Sequence, residues 1–563
     1  MQYLALASDY DGTLAHDGFV SEKTLSALEE LHQSGRKLIL VTGRELPDLQ
    51  SVFSRLDLFD RVVAENGAVV YTPATKEKHI LADPPKPIFV ETLRKRGVGP
   101  LATGDVIVAT WRPNETMVLE VIRDLGLELQ VIFNKGAVMI LPAGVNKKSG
   151  LHAALKDLGL SEHNVIGVGD AENDHAFLTS CEFSVAVANA LPSVKETADF
   201  TTQADHGDGV VELIRMMLED SLPPTRHTIC IGRDRGQDIS IAPYGSSLVV
   251  AGASGSGKST FIAGLLQTLI EKKYQVCLID PEGDYESFPG TITVGDDKHA
   301  PAIEQVLQTL SKPGSQAVVN LVGIPMDDRP NFFVTLLPRL QELRLRTGRP
   351  HWIIIDEAHH MLPPEWAPGS AEMAGALKNV VQITVHPDRV SPAALKAVNV
   401  VVGIGPSAEK VLASFAQAAA SPAPRVEPVD LPSGEALVWL VDSNTVRRIE
   451  YIATTAERKR HKRKYAHGEL GEDRSFYFRG AEQKLNLRAH NLDTFVKLAD
   501  GVDDDTWLHH LRSGEYSRWF RENIKDPELA EEAARVEQDR SLDPRQSREK
   551  IREAIEHRYT APA

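Results

Sequence analysis

The sequence predicts an α/β protein of several domains, the first of which contains a doubly wound sheet. Three observations support this prediction: strands alternate with helices over residues 1–218, polar residues follow several strand ends, and a strand–loop–helix pattern recurs near residue 252. Alternation of this kind is typical of mostly parallel sheets that are covered by helices. With 563 residues the chain is long enough for about three or four domains.

Composition and charge exclude several classes of protein. The net charge of −16 argues against general binding to nucleic acid and leaves only a local basic face open. Cys181, Cys230 and Cys277 lack the spacing of metal ligands, so we expect reduced thiols that pack in cores. No basic leader precedes the first strand, and no apolar run approaches the roughly 20 residues that span a bilayer. We therefore expect a cytoplasmic protein without a membrane segment.

Four loops at strand ends carry polar side chains. They contribute Asp9 with Asp11, Thr42, Lys147 with Lys148, and Asp170 with Asn173 and Asp174. Ligands of doubly wound sheets bind at the carboxyl ends of the strands, where these loops are expected to meet. Carboxylates hold Mg²⁺, one carboxylate attacks phosphorus, and the cation neutralises the developing charge. The four loops together predict a phosphoryl-transfer site.

In this pattern residues 1–218 resemble the haloacid dehalogenase (HAD) phosphatases, in particular the Cof-like subfamily IIB. The resemblance implies that Asp9 is the nucleophile that forms an aspartyl-phosphate and that Asp11 is the acid/base. It also implies that Thr42 binds the transferring phosphoryl group and that Lys147, or less readily Lys148, steadies the nucleophile. The implied Mg²⁺ ligands are Asp9, Asp11, Asp170 and Asp174, with Asn173 in support.

A segment at about residues 83–142 lies between the loop that contains Thr42 and the loop that contains Lys147. It matches in position the α/β cap that covers the active site and selects the substrate in that family. We expect helices at 88–96 and 115–125, a strand at 105–110 and two strands that end at Leu141. Trp111, Arg112, Asn134 and Lys135 either touch a phosphorylated substrate or are ordinary rim residues. The expected substrate is a small phosphorylated metabolite.

A second catalytic signature lies at residues 247–260, SLVVAGASGSGKST. It follows the pattern G-x-x-x-x-G-K-[ST], in which glycines let backbone N–H groups surround phosphate oxygens. Lys258 is expected to reach the β- and γ-phosphates, and Ser259 is expected to hold Mg²⁺. The stretch therefore predicts an ATP site formed by Gly252, Gly255, Gly257, Lys258, Ser259 and Thr260.

Two further strands in this region end in acidic residues. Residues 280–285 read DPEGDY, and an apolar strand at 352–355 leads to Asp356 and Glu357. We expect Asp356 to belong to the Mg²⁺ shell and Glu357 to polarise an attacking water. Acids at these strand ends favour an ATPase over a fold that only binds nucleotides.

With residues 231–234, IGRD, these motifs resemble the HerA/FtsK-like ATPases, which have a RecA-like P-loop fold. The resemblance implies hexameric rings and an arginine supplied by the neighbouring subunit. Arg329 and Arg389 are candidates for it, with surface salt bridges as the alternative. Such ATPases usually carry a sensor glutamine after the strand that follows the acid pair. Here a strand at 381–385 leads to His386, which argues mildly against motor-type coupling.

Charged and proline-rich residues at 219–227 predict a domain boundary. We therefore expect a hydrolase domain at 1–218, a P-loop domain at 228–455 and a small α-rich domain at 456–563. Trp507, Trp519 and Phe520 stand at helical spacing, which favours a small core. The basic run at 458–464 is either a solvated linker or a contact for nucleic acid or an acidic surface.

The function we expect is a Mg²⁺-dependent phosphomonoester hydrolase fused to an ATP-binding and ATP-hydrolysing domain that regulates or accompanies it. The alternative is a HerA/FtsK-like motor that translocates nucleic acid or polypeptide and carries the phosphatase as an accessory. A small-molecule kinase is a third reading, against which the pair Asp356 and Glu357 counts. The sequence leaves open a homo-oligomeric ring and contact with nucleic acid.

Overall fold

The computed structural model describes residues 3–253, 255–286, 288–366, 377–452, 465, 470, 475–480, 484–524 and 526–559. Within these residues no helix combines the length and the apolar character that crossing a membrane requires. The basic run at 458–464 lies outside the described residues.

Strands and helices alternate through the first part of the chain. The strands are β1 (Ala5–Asp9), β2 (Lys37–Val41), β3 (Arg61–Ala64), β4 (Val69–Thr72), β5 (Glu77–Ile80), β6 (Ala102–Thr103), β7 (Val108–Trp111), β8 (Leu129–Asn134), β9 (Ala137–Pro142), β10 (Val165–Gly169), β11 (Phe183–Ala186) and β12 (Phe200–Thr201). The helices are α1 (Glu22–Gln33), α2 (Leu46–Val52), α3 (Pro87–Lys95), α4 (Glu115–Asp124), α5 (Lys147–Leu158), α6 (His175–Leu178), α7 (Pro192–Thr197) and α8 (His206–Glu219). The elements expected from the sequence are present, with ends that differ by a few residues.

The main sheet has the order β12-β11-β10-β1-β2-β3-β4-β5. Its strands are parallel from β12 to β3, and β4 and β5 run antiparallel. Every residue of β1 is buried, which explains why this strand is apolar without alternation. Because β10, β1 and β2 are neighbours, the loops after them meet at one edge of the sheet, as the sequence predicted.

The start of α5 is fixed by local interactions. The Asn146 side chain accepts a hydrogen bond from the Ser149 N–H, and the Ser149 hydroxyl accepts one from the Asn146 N–H. This reciprocal pair satisfies backbone donors that the helix itself leaves unpaired. A Cβ at Gly150 would lie 2.6 Å from the Gly67 Cα, so glycine allows the helix to approach the turn after β3. Lys147 is thereby held close to the strand ends.

The cap forms a separate layer with the antiparallel order β6-β7-β9-β8. Helices α3 and α4 pack on this sheet through a small apolar core of Phe89, Leu93, Val118, Val121, Val138 and Ile140. The turn between β8 and β9 contains Lys135 and Gly136, whose φ angles are 45° and 93°. A left-handed conformation at two successive residues is typical of a tight hairpin.

A second, larger sheet follows after residue 228. Its strands are β13 (Ile229–Asp234), β14 (Gln237–Ile241), β15 (Leu248–Ala251), β16 (Val276–Asp280), β17 (Thr291–Val294), β18 (Gln316–Asn320), β19 (Trp352–Ile355), β20 (Val380–Thr384), β21 (Val400–Ile404), β22 (Glu435–Leu440) and β23 (Thr445–Glu450). Its helices are α9 (Lys258–Glu271), α10 (Ile303–Ser311), α11 (Arg329–Thr347), α12 (Ala358–Met361), α13 (Pro392–Leu395) and α14 (Ala408–Ala418).

This sheet has the order β14-β13-β23-β22-β21-β15-β20-β19-β16-β18-β17 and is parallel from β21 to β17. Both faces are covered: Val249 and Ala251 of β15 point into one apolar cluster, and Leu248 and Val250 point into another. The strand that precedes the glycine loop, β15, is separated from the strand that precedes the acid pair, β19, by β20 alone.

The C-terminal part consists of a short antiparallel pair and helices. The elements are β24 (Phe476–Phe478), β25 (Leu487–Ala489), α15 (Leu492–Gly501), α16 (Asp504–Arg512), α17 (Glu515–Trp519), α18 (Pro527–Gln538) and α19 (Pro544–Tyr559). Trp507, Trp519 and Phe520 are buried in one aromatic cluster, where Trp507 stacks on Tyr516. These residues form a core, as their spacing predicted.

Candidate active sites

The first site is built around two buried ions at the end of β1. Asp9, the last residue of β1, is 4% exposed, and Lys147 is 1% exposed. The Lys147 Nζ lies 2.5 Å from Asp9 Oδ1 and 2.6 Å from Asp174 Oδ1. A buried charge is tolerated only when it is paired, so this lysine compensates two carboxylates at once.

The second carboxylate oxygen of Asp174 is also hydrogen-bonded. Asp174 Oδ2 accepts hydrogen bonds from the N–H groups of Asp170 and Ala171, each at 2.9 Å. Asn173 donates to Asn66 Oδ1 at 3.0 Å and so ties this loop to the turn after β3. The loop after β10 is therefore rigid before any ligand arrives.

Asp9, Asp170 and Asp174 form a cluster in which the three candidate ligand oxygens lie within 4.8 Å of one another. Burial raises the pKa of Asp9, and the charges of Asp174 and Asp170 raise it further, against the lowering effect of Lys147. Burial also raises the pKa of Asp170. A cluster of carboxylate oxygens that repel one another fits a hard cation such as Mg²⁺, which prefers oxygen ligands.

The Asp11 carboxylate lies outside this cluster. Arg44 donates to both of its oxygens at 2.7 Å and also binds Asp48 at 2.7 Å. The Thr42 hydroxyl is buried and accepts a hydrogen bond from the Arg44 N–H at 3.1 Å. The loop after β2 thus places Thr42 and Arg44 beside Asp11. The bidentate hydrogen bonds from Arg44 fix the plane of the Asp11 carboxylate.

Lys135 reaches the site from the cap. Its Nζ donates to Asp170 Oδ2 at 2.6 Å and to the Asp11 carbonyl at 3.2 Å, while about half of its side chain stays exposed. Burial lowers the pKa of the Lys135 ammonium, but the hydrogen bond and charge of Asp170 outweigh this effect, and the net shift is upward. The cap therefore delivers a charged ammonium to the catalytic loops.

The second site surrounds the loop after β15. Gly257 has a φ of 107° and stands directly before α9, whose first turn carries Lys258, Ser259 and Thr260. The Lys258 Nζ donates to the carbonyls of Gly252 and Ala253 at 2.8 and 3.0 Å. A Cβ at Gly252 would lie 2.2 Å from the Ile404 carbonyl, so this position requires glycine. The N-terminus of a helix such as α9 offers backbone N–H groups to an anion.

Acidic residues stand at the ends of β16 and β19, at the same edge of the sheet as this loop. Asp280 accepts hydrogen bonds from the N–H groups of Asp284 and Tyr285, and Asp356 follows β19 directly. Burial raises the pKa of Asp356 strongly, with the charge of Glu357 as the next cause. Glu357 adopts a φ of 43°, a left-handed conformation that is uncommon outside glycine and typical of functional turns.

The strand β20 ends between the glycine loop and the acid pair. Its last residue, Thr384, lies 3.2 Å from His359 Nδ1 through its hydroxyl, which also accepts a hydrogen bond from the His386 N–H. Burial, followed by the charges of the neighbouring His360 and His386, lowers the pKa of His359 to about 4, so this imidazole is neutral at pH 7. His386 therefore stands beside the site, where the sensor residue is expected.

Comparison with known proteins gives matches to two families. Residues 6–95 and 131–214 match the family described as haloacid dehalogenase-like hydrolase, and residues 244–313 match the central domain of the helicase HerA. A phosphoglycolate phosphatase from Methanothermobacter thermautotrophicus is 32% identical over 223 residues, which cover 38% of this chain and 98% of the relative. The chain belongs to the haloacid dehalogenase-like hydrolases.

Two further proteins are similar to the same part of the chain. A phosphoglycolate phosphatase from Haloarcula marismortui is 31% identical over 218 residues, which cover 37% of this chain and 95% of the relative. A crystal structure of a haloacid dehalogenase-like hydrolase from Bacteroides thetaiotaomicron covers 38% of this chain and 99% of its own, with 20% identity and a TM-score of 0.34. The prediction of a HAD-type phosphatase fused to a HerA-like segment is confirmed at the level of these families.

The HAD fold brings most of the expected residues together. Asp9, Thr42, Lys147, Asp170, Asn173 and Asp174 all lie at the carboxyl edge of the main sheet. Lys147 is the lysine that contacts Asp9, whereas Lys148 is exposed. Asp11 lies beside them, but its carboxylate is bound to Arg44 and its carbonyl faces Lys135.

Three residues of this HAD site were not assigned a role from the sequence. Arg44 follows Thr42 in the same loop, and that adjacency is a usable signal. Lys135 was considered only as a contact for the substrate or a rim residue, and its contact with Asp170 was not expected, because nothing in the sequence indicates how far a hairpin tip reaches. Glu65 accepts hydrogen bonds from the N–H groups of residues 105, 106 and 107, at 2.8, 2.8 and 2.9 Å, and so joins the cap to the core. Its partners are too distant in sequence to be found by pattern.

Proposed function

We propose that this chain is a Mg²⁺-dependent phosphomonoester hydrolase that works through an aspartyl-phosphate at Asp9. The observation that carries the proposal is the buried group of Asp9, Lys147 and Asp174 at the carboxyl edge of a HAD-type sheet. We assign the hydrolase to residues 1–218 with its cap at about 83–142, an ATP-binding and ATP-hydrolysing domain to 228–455, and a small domain to 456–563.

The proposed reaction has two displacement steps at phosphorus. In the first, a carboxylate oxygen of Asp9 bonds to phosphorus, the ester P–O bond breaks, and Asp11 gives a proton to the leaving oxygen. In the second, water attacks the phosphorus, Asp11 takes its proton, and the bond between Asp9 and phosphorus breaks to release phosphate. The Thr42 hydroxyl binds the transferring group, and Lys147 holds Asp9 in position for attack.

The residues that would hold Mg²⁺ are Asp9, Asp170 and Asp174, together with the Asp11 loop. A bound Mg²⁺ supplies positive charge that neutralises the phosphate oxygens. The close oxygen ligands and the raised pKa values of Asp9 and Asp170 support this assignment, because a cation relieves the repulsion between these carboxylates.

The proposed substrate is a small phosphorylated metabolite, and phosphoglycolate is the first to test. The relatives from Methanothermobacter thermautotrophicus and Haloarcula marismortui are both phosphoglycolate phosphatases that match this chain over nearly their whole length.

For the second domain we propose ATP binding by Gly252, Gly255, Gly257, Lys258, Ser259 and Thr260. Ser259 and Asp356 are assigned to a Mg²⁺ shell, and Glu357 is assigned to the attacking water. The domain either regulates the phosphatase or serves its own task. The match of residues 244–313 to the HerA central domain favours a second candidate, a translocation ATPase that forms a homo-oligomeric ring and acts on nucleic acid or polypeptide.

A phosphate-release assay with Mg²⁺ tests both centres. Purified full-length protein receives an aryl phosphate, phosphoglycolate or ATP, with Asp9→Asn and Lys258→Ala run beside the wild type. We expect Asp9→Asn to abolish cleavage of both phosphate esters and to leave ATP cleavage intact, and Lys258→Ala to show the opposite pattern. Asp17→Asn is the matched control, since Asp17 is an exposed acid close in sequence.

Two results would change the proposal. If wild type releases no phosphate from either ester, the assignment of Asp9 as nucleophile fails. If DNA added to the assay stimulates ATP cleavage and the protein sediments as a ring, the translocation ATPase replaces the regulatory role as the better proposal for residues 228–455.

A further inference from the structure

The cap contributes a cation to the catalytic loops at one point, the tip of the β8–β9 hairpin. Lys135 Nζ lies 2.6 Å from Asp170 Oδ2 and 3.2 Å from the Asp11 carbonyl. A Cβ at Gly12 would lie 2.4 Å from the Lys135 Nζ and 2.4 Å from Asp170 Oδ2. Glycine at position 12 is therefore what leaves room for this ion pair directly beside Asp11.

The partner of Lys135 is also assigned to the Mg²⁺ ligands. Asp170 is 2% exposed and belongs to the carboxylate cluster with Asp9 and Asp174. Mg²⁺ and an ammonium group repel each other when both lie at contact distance from one carboxylate. If Asp170 held Mg²⁺, the Lys135 ammonium would lose its closest carboxylate, and the hairpin would still hold it beside Asp11 and Asp170.

The displaced ammonium is suited to a carboxylate of the substrate. Its side chain is about half exposed, so a ligand can reach it from solvent. Lys135 donates a hydrogen bond to the Asp170 carboxylate, and a substrate carboxylate could accept the same kind of hydrogen bond in its place.

We propose that Lys135 is a specificity-determining residue that binds a carboxylate of the substrate close to the phosphate ester. Mg²⁺ binding at Asp170 makes Lys135 available for this role, so the site selects small phosphorylated acids. The inference rests on the proposed phosphatase function of Asp9 and adds to it the residue that distinguishes such acids from neutral phosphate esters.

The test compares two substrates of equal length. Phosphoglycolate carries the carboxylate, and hydroxyethyl phosphate carries a neutral hydroxyl in its place. We expect wild type to prefer phosphoglycolate, and Lys135→Met to lower kcat/KM for it by about tenfold, mainly through KM, with little change for hydroxyethyl phosphate. Lys135→Arg should restore part of the preference, because it keeps the charge.

A matched control separates charge recognition from closure of the cap. Lys78, on β5, also joins the core to the cap, through a 2.6 Å ion pair with Asp105. Lys78→Met should leave the ratio of the two substrates unchanged. If Lys78→Met lowers that ratio as much as Lys135→Met does, cap closure explains the effect and the inference is wrong.

Mg²⁺ binding gives a readout that does not depend on turnover. Calorimetric titration without substrate should show tighter Mg²⁺ binding by Lys135→Met than by wild type, because a competing cation has been removed. Unchanged or weaker binding would contradict the competition at Asp170. If Lys135→Met lowers kcat/KM equally for both substrates, Lys135 acts on the phosphoryl group and the inference is wrong. The proposed function would still be supported if wild type cleaves the aryl phosphate and Asp9→Asn does not.

Discussion

At the scale of single residues, the hydrolase site depends on one buried lysine. Burial lowers the pKa of the Lys147 ammonium, but its contacts with Asp174 and Asp9 outweigh this effect and raise the pKa above the ordinary value. We expect Lys147→Met to reduce the free energy of unfolding by about 3–5 kcal/mol, because two buried carboxylates then lack their cation. Thermal unfolding followed by circular dichroism measures the loss, and millimolar Mg²⁺ should recover part of it.

The neighbouring lysine provides the control for this prediction. Lys148 occupies the next position in α5 and is exposed, so Lys148→Met removes the same charge from the surface. Surface substitutions of this kind usually change stability by less than about 0.5 kcal/mol. Equal effects of the two substitutions would show that Lys147 does not compensate Asp9 and Asp174 in solution.

At the scale of elements, the cap is joined to the core by a buried glutamate in the turn after β3. Glu65 has a φ of 50°, is fully buried, and accepts hydrogen bonds from the N–H groups of residues 105, 106 and 107. A Cβ at Gly104 would lie 2.5 Å from the Glu65 carboxylate, so glycine there permits the approach. One carboxylate thus organises the backbone that leads into β7.

We expect Glu65→Gln to loosen this junction, because an amide offers one acceptor oxygen where the carboxylate offers two. Charge-assisted hydrogen bonds contribute about 1.5–3 kcal/mol each, so the N–H groups of residues 105–107 should lose much of their protection. Hydrogen–deuterium exchange of peptides that cover 102–110 measures this change. Glu77→Gln, on the exposed strand β5, is the control, and equal exchange in the two variants would refute the role of Glu65.

The helices and strands could be predicted where a short stretch of sequence carries the signal for them. The buried run at Ala5–Asp9 and the capped start of α5 are visible as an apolar stretch and an Asn-x-x-Ser pattern. The parallel order also follows, because alternating strands and helices bring polar strand ends to one edge. The insertion of β20 between β15 and β19 did not follow, since order within a sheet depends on packing between distant segments.

The contacts that sequence reasoning missed are long-range and set by geometry. Lys135 and Asp170 are 35 residues apart, and their contact depends on the hairpin tip, where Lys135 adopts a left-handed conformation. Glu65 reaches residues 40 to 42 positions away. Neither residue belongs to a periodic pattern, so no local signal distinguishes them from surface charges.

At the scale of the whole molecule, the two large sheets are joined by a buried polar contact. Glu182, which is 1% exposed, lies 2.6 Å from His163 Nδ1 and accepts a hydrogen bond from the Tyr274 hydroxyl at 3.0 Å. The Tyr274 ring stacks on His163 with 3.8 Å between ring centroids. Arg349 adds a hydrogen bond to the Gly159 carbonyl at 2.7 Å. Satisfied polar groups of this kind specify one arrangement of the two parts.

This contact predicts that nucleotide binding stabilises the phosphatase part as well. A non-hydrolysable ATP analogue with Mg²⁺ stabilises the P-loop part by mass action, and a shared buried contact passes part of that gain to the HAD part. Calorimetry should therefore show both parts unfolding at higher temperature with the analogue. Tyr274→Phe removes one hydrogen-bond donor from buried Glu182, so it should reduce the rise in the unfolding temperature of the HAD part. The unfolding transition of the HAD part is identified separately, as the one that responds to Mg²⁺ in the Lys258→Ala variant.

Tyr10→Phe is the matched control for this last prediction. The Tyr10 hydroxyl also donates one hydrogen bond, to the Gly18 carbonyl at 2.9 Å, but both residues lie within the HAD part. Tyr10→Phe should lower the stability of that part without changing the shift caused by the analogue. If Tyr274→Phe leaves the shift unchanged as well, the contact between the sheets carries no coupling, and the two hydrolytic centres work side by side on one chain.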